Sequence, residues 1–270
     1  MDATVFHCPN CAAPVDIDYK TRKGSCEFCG SVVTFPRKTF NSSANVVNEL
    51  PICLRCFDEK RFADARAHAE SVLAIATDNG PALYARTYYE AFAAVTRNSE
   101  RVGEFFKQIN DIDMDGEEVE ALKKMFLSTI HKLADYEEDV LRWAVNNLHP
   151  SELGSFTEAI SPLLLSKRTS IDFFTPGLAK LYKEISAASP IPKTCYALLQ
   201  AITTNPDSPY PENRFFLKTK TQRFHDEFVL PVGEIIQNMA SPELKNKFYR
   251  VYQARVEDME KQMKGEKKDG

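Results

Sequence analysis

Apolar residues recur every three to four positions over most of this chain, and at every second position only near its N-terminus. Thr4-Val5-Phe6-His7, Pro14-Val15-Asp16-Ile17 and Ser31-Val32-Val33-Thr34-Phe35 alternate as short strands do. Further along, the helical period takes over. Ala65, Ala69, Val72 and Ala76 form one stripe, and Val119, Leu122, Phe126, Ile130 and Leu133 a second. Leu153, Phe156, Ile160, Leu163 and Leu164 form a third, and Leu244, Phe248, Val251, Tyr252 and Met259 a fourth. His149-Pro150-Ser151-Glu152 and Ser241-Pro242-Glu243 open helices with a cap, a proline and an acid in the first turn. Asn79-Gly80-Pro81, Ser189-Pro190-Ile191-Pro192 and Asn205-Pro206-Asp207-Ser208-Pro209 are breaks. The pattern predicts a mainly α chain with a small β-containing head over residues 1–37. A polar linker over 38–45, an all-α body of about ten helices over 46–262 and a disordered tail over 263–270 follow.

Composition alters this picture little. Hydrophobic residues make up 43% and charged residues 27% of 270 positions, as in ordinary soluble globular proteins. The net charge of −4 supplies no global attraction to nucleic acid or to a membrane. The opening MDATVFHCPNC has neither a basic n-region nor an apolar core, so no signal peptide is expected. Nor is any segment apolar over the roughly 18 residues that a membrane-spanning helix needs. Seven cysteines, four of them in metal-like pairs, suit a reducing compartment, and a cytoplasmic protein is expected.

The chemistry gathers in Cys8-Pro9-Asn10-Cys11 and Cys26-Glu27-Phe28-Cys29. Two C-x-x-C pairs with fourteen residues between them supply the four thiolates of one tetrahedral zinc ion. Each pair closes a tight turn whose backbone N–H groups face the sulfurs. So small a head cannot bury enough apolar surface to hold itself together, and metal binding supplies its folding energy, on the order of 10 kcal/mol. With four protein ligands no coordination position stays open, so the expected zinc is structural. His7 stands beside a site already complete and is read as a strand residue.

Residues 5–35 resemble a zinc ribbon, with Cys8, Cys11, Cys26 and Cys29 at the four ligand positions and Gly30 as the usual glycine after a knuckle. The resemblance implies two knuckles gripping one metal beneath a three-stranded sheet. Ala12 departs from the glycine pattern, which implies local strain or a different turn. The segment Val46–Asn79 resembles a tetratricopeptide repeat (TPR) through Phe62, Ala65, Val72, Leu73 and Asp78-Asn79, with a further helix from Pro81. Here small Ala65 lets two helices approach and Phe62 fills the gap between them. Lys60 stands where that pattern has a glycine and Thr77 where it has a proline.

Other motifs are weaker. Cys53-Leu54-Arg55-Cys56 lacks two further ligands and reads as buried structural cysteine, as does Cys195. Asp111-Ile112-Asp113-Met114-Asp115-Gly116 imitates a calcium loop, but its twelfth position is Leu122, so it reads as an acidic turn leading into a helix. His225-Asp226-Glu227 are neighbours expected on different sides of a helix. Trp143 falls in an apolar stripe and reads as core.

No glycine-rich phosphate loop, G-x-S-x-G elbow or H-E-x-x-H occurs, and the expected function is non-enzymatic. Ribbon and helical surface are expected to engage a protein partner, as an adaptor does. The alternative is a nucleic-acid-, ribosome- or polymerase-associated factor. It would use Lys20, Arg22 and Lys23 at the ribbon loop, and Arg214, Lys218, Lys220 and Arg223 interleaved with phenylalanines.

Overall fold

The computed structural model describes residues 6–167, 181, 184–185, 220–238 and 241–269. Cys195, Arg214 and Lys218 lie outside them. The chain divides into two compact units, Met1–Thr129 and Ile130–Gly270. It is mainly helical, with four short strands at the N-terminus.

In the first unit β1 (Phe6–His7) pairs antiparallel with β2 (Pro14–Val15), and β3 (Lys23–Ser25) with β4 (Val32–Thr34). The result is two two-stranded sheets rather than the single three-stranded sheet expected. The reason is packing. Val15 on one sheet and Val33 on the other meet Cys8 and Cys26 between them, so the sheets face one another instead of merging. Gly24 permits this approach, since a Cβ there would lie 2.4 Å from the Asp16 carbonyl oxygen.

Six helices complete the unit: α1 (Arg37–Asn41), α2 (Ala44–Asp58), α3 (Phe62–Leu73), α4 (Gly80–Tyr88), α5 (Glu100–Ile109) and α6 (Gly116–Thr129). Over 38–45, where a linker was expected, the chain is in α1 and the Ser43 cap of α2, whose hydroxyl accepts from the Val46 N–H. The polar residues there are cap residues. Phe40 on α1 is 1% exposed and packs against Phe6 of the first sheet at 5.1 Å between rings.

Helices α2 and α3 pack closely because Ala65 and Ala69 carry almost no side chain, and both are fully buried. Phe62 closes the hairpin, with its ring 5.3 Å from Phe57 and 4.7 Å from Tyr88. The core continues through Tyr84, which meets Phe105 and Phe126 and hydrogen-bonds Thr129 through its buried hydroxyl at 2.7 Å. That burial raises the Tyr84 pKa. Pro51 removes one hydrogen bond from the middle of α2, but it lies on the exposed side, as does Val47 one turn before it. Water can satisfy the carbonyl released there.

The end of α2 explains Lys60. Its φ is 60°, the left-handed region. The Lys60 N–H bonds the Phe57 carbonyl and the Arg61 N–H the Cys56 carbonyl, a helix stop built for glycine.

In the second unit α7 (Glu137–Asn147) and α8 (Pro150–Lys167) bury Trp143 against Phe156, with rings 6.1 Å apart. A short α9 (Lys220–Phe224), a π turn (His225–Val229) and α10 (Leu230–Gln237) follow. The last helix, α11 (Pro242–Asp269), buries Phe248, Tyr252 and Met259 and leaves Val251 exposed. Tyr252 lies on Gly233 of α10, where a Cβ would meet the phenol ring at 2.5 Å. The tail expected to be disordered from 263 continues this helix, whose Lys261–Asp258 pair is one of the i,i+3 contacts that support exposed helical turns.

Lys60→Gly is expected to stabilise the chain by about 1 kcal/mol by relieving the left-handed backbone, read as a rise in denaturation midpoint. An unchanged or lower midpoint contradicts this account of the α2 stop.

Candidate metal centre

The two C-x-x-C segments fold as matched knuckles. The Cys8 N–H donates to the Ala13 carbonyl and the Ala12 N–H to the Cys8 carbonyl, both at 2.8 Å. In the second knuckle the Cys26 N–H donates to Ser31 at 2.9 Å and the Gly30 N–H to Cys26 at 2.8 Å. The turn demands positive φ at its fourth residue after the first cysteine, and both occupants have it: 72° at Gly30 and 59° at Ala12. The strain expected at Ala12 is therefore present. The turn itself is the same.

These turns bring four sulfurs together. Cys8 Sγ lies 3.7 Å from Cys29 Sγ, Cys11 Sγ lies 3.5 Å from Cys26 Sγ, and all four lie within 4.8 Å of one another. Each near contact joins one knuckle to the other. At such separations these are free thiols, not disulfides, whose S–S bond is about 2.05 Å. Cys8 and Cys26 are buried, whereas Cys11 and Cys29 face solvent. Four sulfurs at mutual contact, two from each knuckle, fit the tetrahedral shell of one metal ion.

Polar neighbours tune the cluster. Ser31 Oγ lies 3.3 Å from Cys29 Sγ and accepts from the Asn10 amide at 3.1 Å, so Asn10 of one knuckle fixes a hydroxyl serving the other. The Ser31 hydroxyl and backbone N–H favour the Cys29 thiolate and lower its pKa to about 6. Cys11 moves the other way, to about 12. The Ala13 N–H pulls it down, but hydrogen bonding with the Cys26 sulfur, desolvation and the other two thiols outweigh that pull. One thiolate forms readily.

The N-terminal β head is fastened to the helices at a second polar centre. Arg37, the first residue of α1, grips the Glu118 carboxylate with both terminal nitrogens and donates to the Asp78 carbonyl at 2.8 Å. Glu118 is 4% exposed and also accepts from the backbone N–H groups of Gly80 and Asp115. Arg22 joins from the ribbon loop and donates to Asp78 Oδ2 at 3.0 Å. Burial weakens the Arg37 charge, yet the bond and charge of Glu118, then Asp78, more than restore it and raise its pKa. The acidic run 111–118 thus starts α6, with Asp115 Oδ1 accepting from the Glu117 and Glu118 N–H groups. No local pattern in the sequence pairs Arg37 with Glu118, 81 positions away.

Of the remaining candidate residues, Lys20 and Lys23 are exposed on the ribbon, while Arg22 is engaged with Asp78. Lys220 and Arg223 share the short helix α9. Cys53 and Cys56 are buried in α2, and burial raises Cys53 to about 12, as befits an inert packing thiol. His7 is an exposed residue of β1. His225 and Asp226 do not diverge as expected, since His225 Nδ1 lies 2.9 Å from Asp226 Oδ1. They sit in a π turn, whose extra residue per turn brings successive side chains closer in angle. No family model, curated protein or solved structure matches this chain.

Two outcomes check this geometry. Ala12→Gly is expected to stabilise the metal-loaded chain by about 1 kcal/mol, and Gly30→Ala to cost a similar amount. Glu118→Gln should cost about 3 kcal/mol in denaturant unfolding by leaving Arg37 buried without its counter-charge, while Arg37→Met combined with Glu118→Leu recovers most of that loss.

Proposed function

We propose that this chain is a non-enzymatic interaction protein in which one structural zinc ion holds the N-terminal ribbon and the attached helices carry a surface for a protein partner. The observation that bears most weight is the closed four-sulfur shell. A zinc ion with sulfurs at about 2.3 Å has tetrahedral edges of about 3.8 Å, near the 3.5 and 3.7 Å separations between knuckles. All-thiolate donors favour zinc over hard cations such as calcium or magnesium. With every ligand position taken by protein, the ion organises structure and has no place for a substrate.

The second support is the fastening of the ribbon. An independent bead on a string has no use for a buried arginine–carboxylate pair reaching into the helices, whereas a module that must present its surface at a fixed angle does. Close packing of α2, α3 and α4, with the glycine-type stop at Lys60, favours a degenerate TPR hairpin within this unit. We read the cytoplasm as its site of action, because four reduced cysteines need a reducing environment.

Elemental analysis of purified protein should return one zinc per chain. Cys8→Ser with Cys11→Ser should abolish it, keep most helical circular dichroism at 25 °C and lower the unfolding midpoint. Affinity purification of both forms, with and without nuclease, tests the rest. A protein partner retained through nuclease and lost with the cysteines supports the proposal. Partners that vanish with nuclease return the protein to the nucleic-acid reading, through the loop residues Lys20, Arg22 and Lys23 and the basic 214–223 stretch.

A further inference from the structure

A groove of about 430 Å³ runs between α2 and α6 on the first unit. Leu54, Ala121 and Met125 form its hydrocarbon floor, and most of its exposed wall is apolar. Leu54 and Asp58 stand one turn apart on α2, while Glu117, Ala121 and Lys124 follow at helical spacing on α6. Both walls therefore offer repeating positions, as a groove for a short helix or peptide requires.

The rim carries carboxylates that no described residue pairs with. Glu120 is met by Lys123 and by Lys124, but Asp58 and Glu117 have no ion-pair partner among the described residues. Asp58 is the more telling of the two. It is the last residue of α2, where the helix dipole disfavours an anion and a lysine or arginine is the stabilising choice. Nearby Glu59 is held by Arg61, which also reaches Asp64, and Arg55 in the same last turn forms no ion pair with Asp58 among the described residues. An acid kept against its helix dipole at the lip of an apolar groove, with no ion-pair partner among the described residues, breaks a local rule. A cation arriving from outside supplies that partner.

We propose that this groove docks a short amphipathic, cationic segment of a partner protein. Aliphatic side chains of the segment lie on Leu54, Ala121 and Met125, and a lysine or arginine to each side meets Asp58 and Glu117. The inference rests on the interaction-protein reading above and gives that partner a chemistry.

The test is selection of a phage-displayed library of random dodecapeptides on the full-length, zinc-loaded chain. Enriched peptides should carry leucine, isoleucine or methionine at helical spacing, lysine or arginine at the flanks and a net positive charge. One such peptide, synthesised and labelled, should bind the wild-type chain more weakly as salt rises. It should lose about tenfold in affinity to the Asp58→Lys, Glu117→Lys double variant, as two rim charge pairs predict. Ala121→Trp, which fills the groove from a half-buried position, should weaken it as well. Circular dichroism and unfolding midpoints certify the variants, and if the tryptophan variant does not fold, the charge reversal decides. Undiminished binding to the charge-reversed chain overturns the proposal. Selection of neutral or acidic peptides loses this groove and keeps the interaction-protein reading, whereas selection of none loses both.

Discussion

Like charges confined to a small volume govern the N-terminal half of this protein. Four sulfurs within 4.8 Å cannot all be thiolates unless a cation sits among them. The turns that bring them together are held by only a few backbone hydrogen bonds, and the apolar cluster behind them consists of Cys8, Val15, Cys26 and Val33 with three partly buried neighbours. A core of that size cannot hold two opposed sheets by burial alone. A cation bound by the four sulfurs would supply the centre about which the two sheets condense. Ser31 and Asn10 refine the surroundings of that donor set by orienting a hydroxyl at the Cys29 sulfur.

A second centre obeys the opposite rule. Glu118 is a single charge in a nearly dry place, made tolerable because Arg37 meets it bidentately and two backbone N–H groups complete its shell. Arg37 comes from the segment just after the ribbon, Gly80 from the start of α4 and Asp115 from the approach to α6. One carboxylate therefore pins three places far apart in sequence. Apolar packing through Phe57, Tyr84 and Phe126 provides bulk cohesion, while the ion pair sets how the ribbon meets the helices.

What could be read from the amino-acid order was what is local. The cysteine pairs declare themselves because a knuckle is closed within five residues, and Ala12 in the first knuckle and Lys60 after α2 were visible because a glycine pattern had been broken. Trp143 was placed in the core by its apolar stripe, Cys53 and Cys56 by the lack of two further ligands, and all three are buried. Contacts across large separations were not legible. Nothing in the residues near Arg37 points to a carboxylate 81 positions away. The split into two facing sheets depends on whether Val33 turns toward Val15, which alternation leaves undecided. The linker was misjudged for a related reason: Ser42, Ser43 and Asn45 look like a flexible joint, but a serine before an apolar run caps a helix equally well.

The Arg37–Glu118 clasp bears on how this molecule can be divided. Cutting ahead of Ala44, at what looks like the natural seam, yields a helical fragment in which an acid remains enclosed without its guanidinium. Such a fragment must admit water or open locally, so its behaviour reflects an injury at the cut rather than the intrinsic strength of the helices. The smallest piece that keeps its internal electrostatics whole begins with the ribbon, and the two parts have to be inherited, expressed and exchanged together.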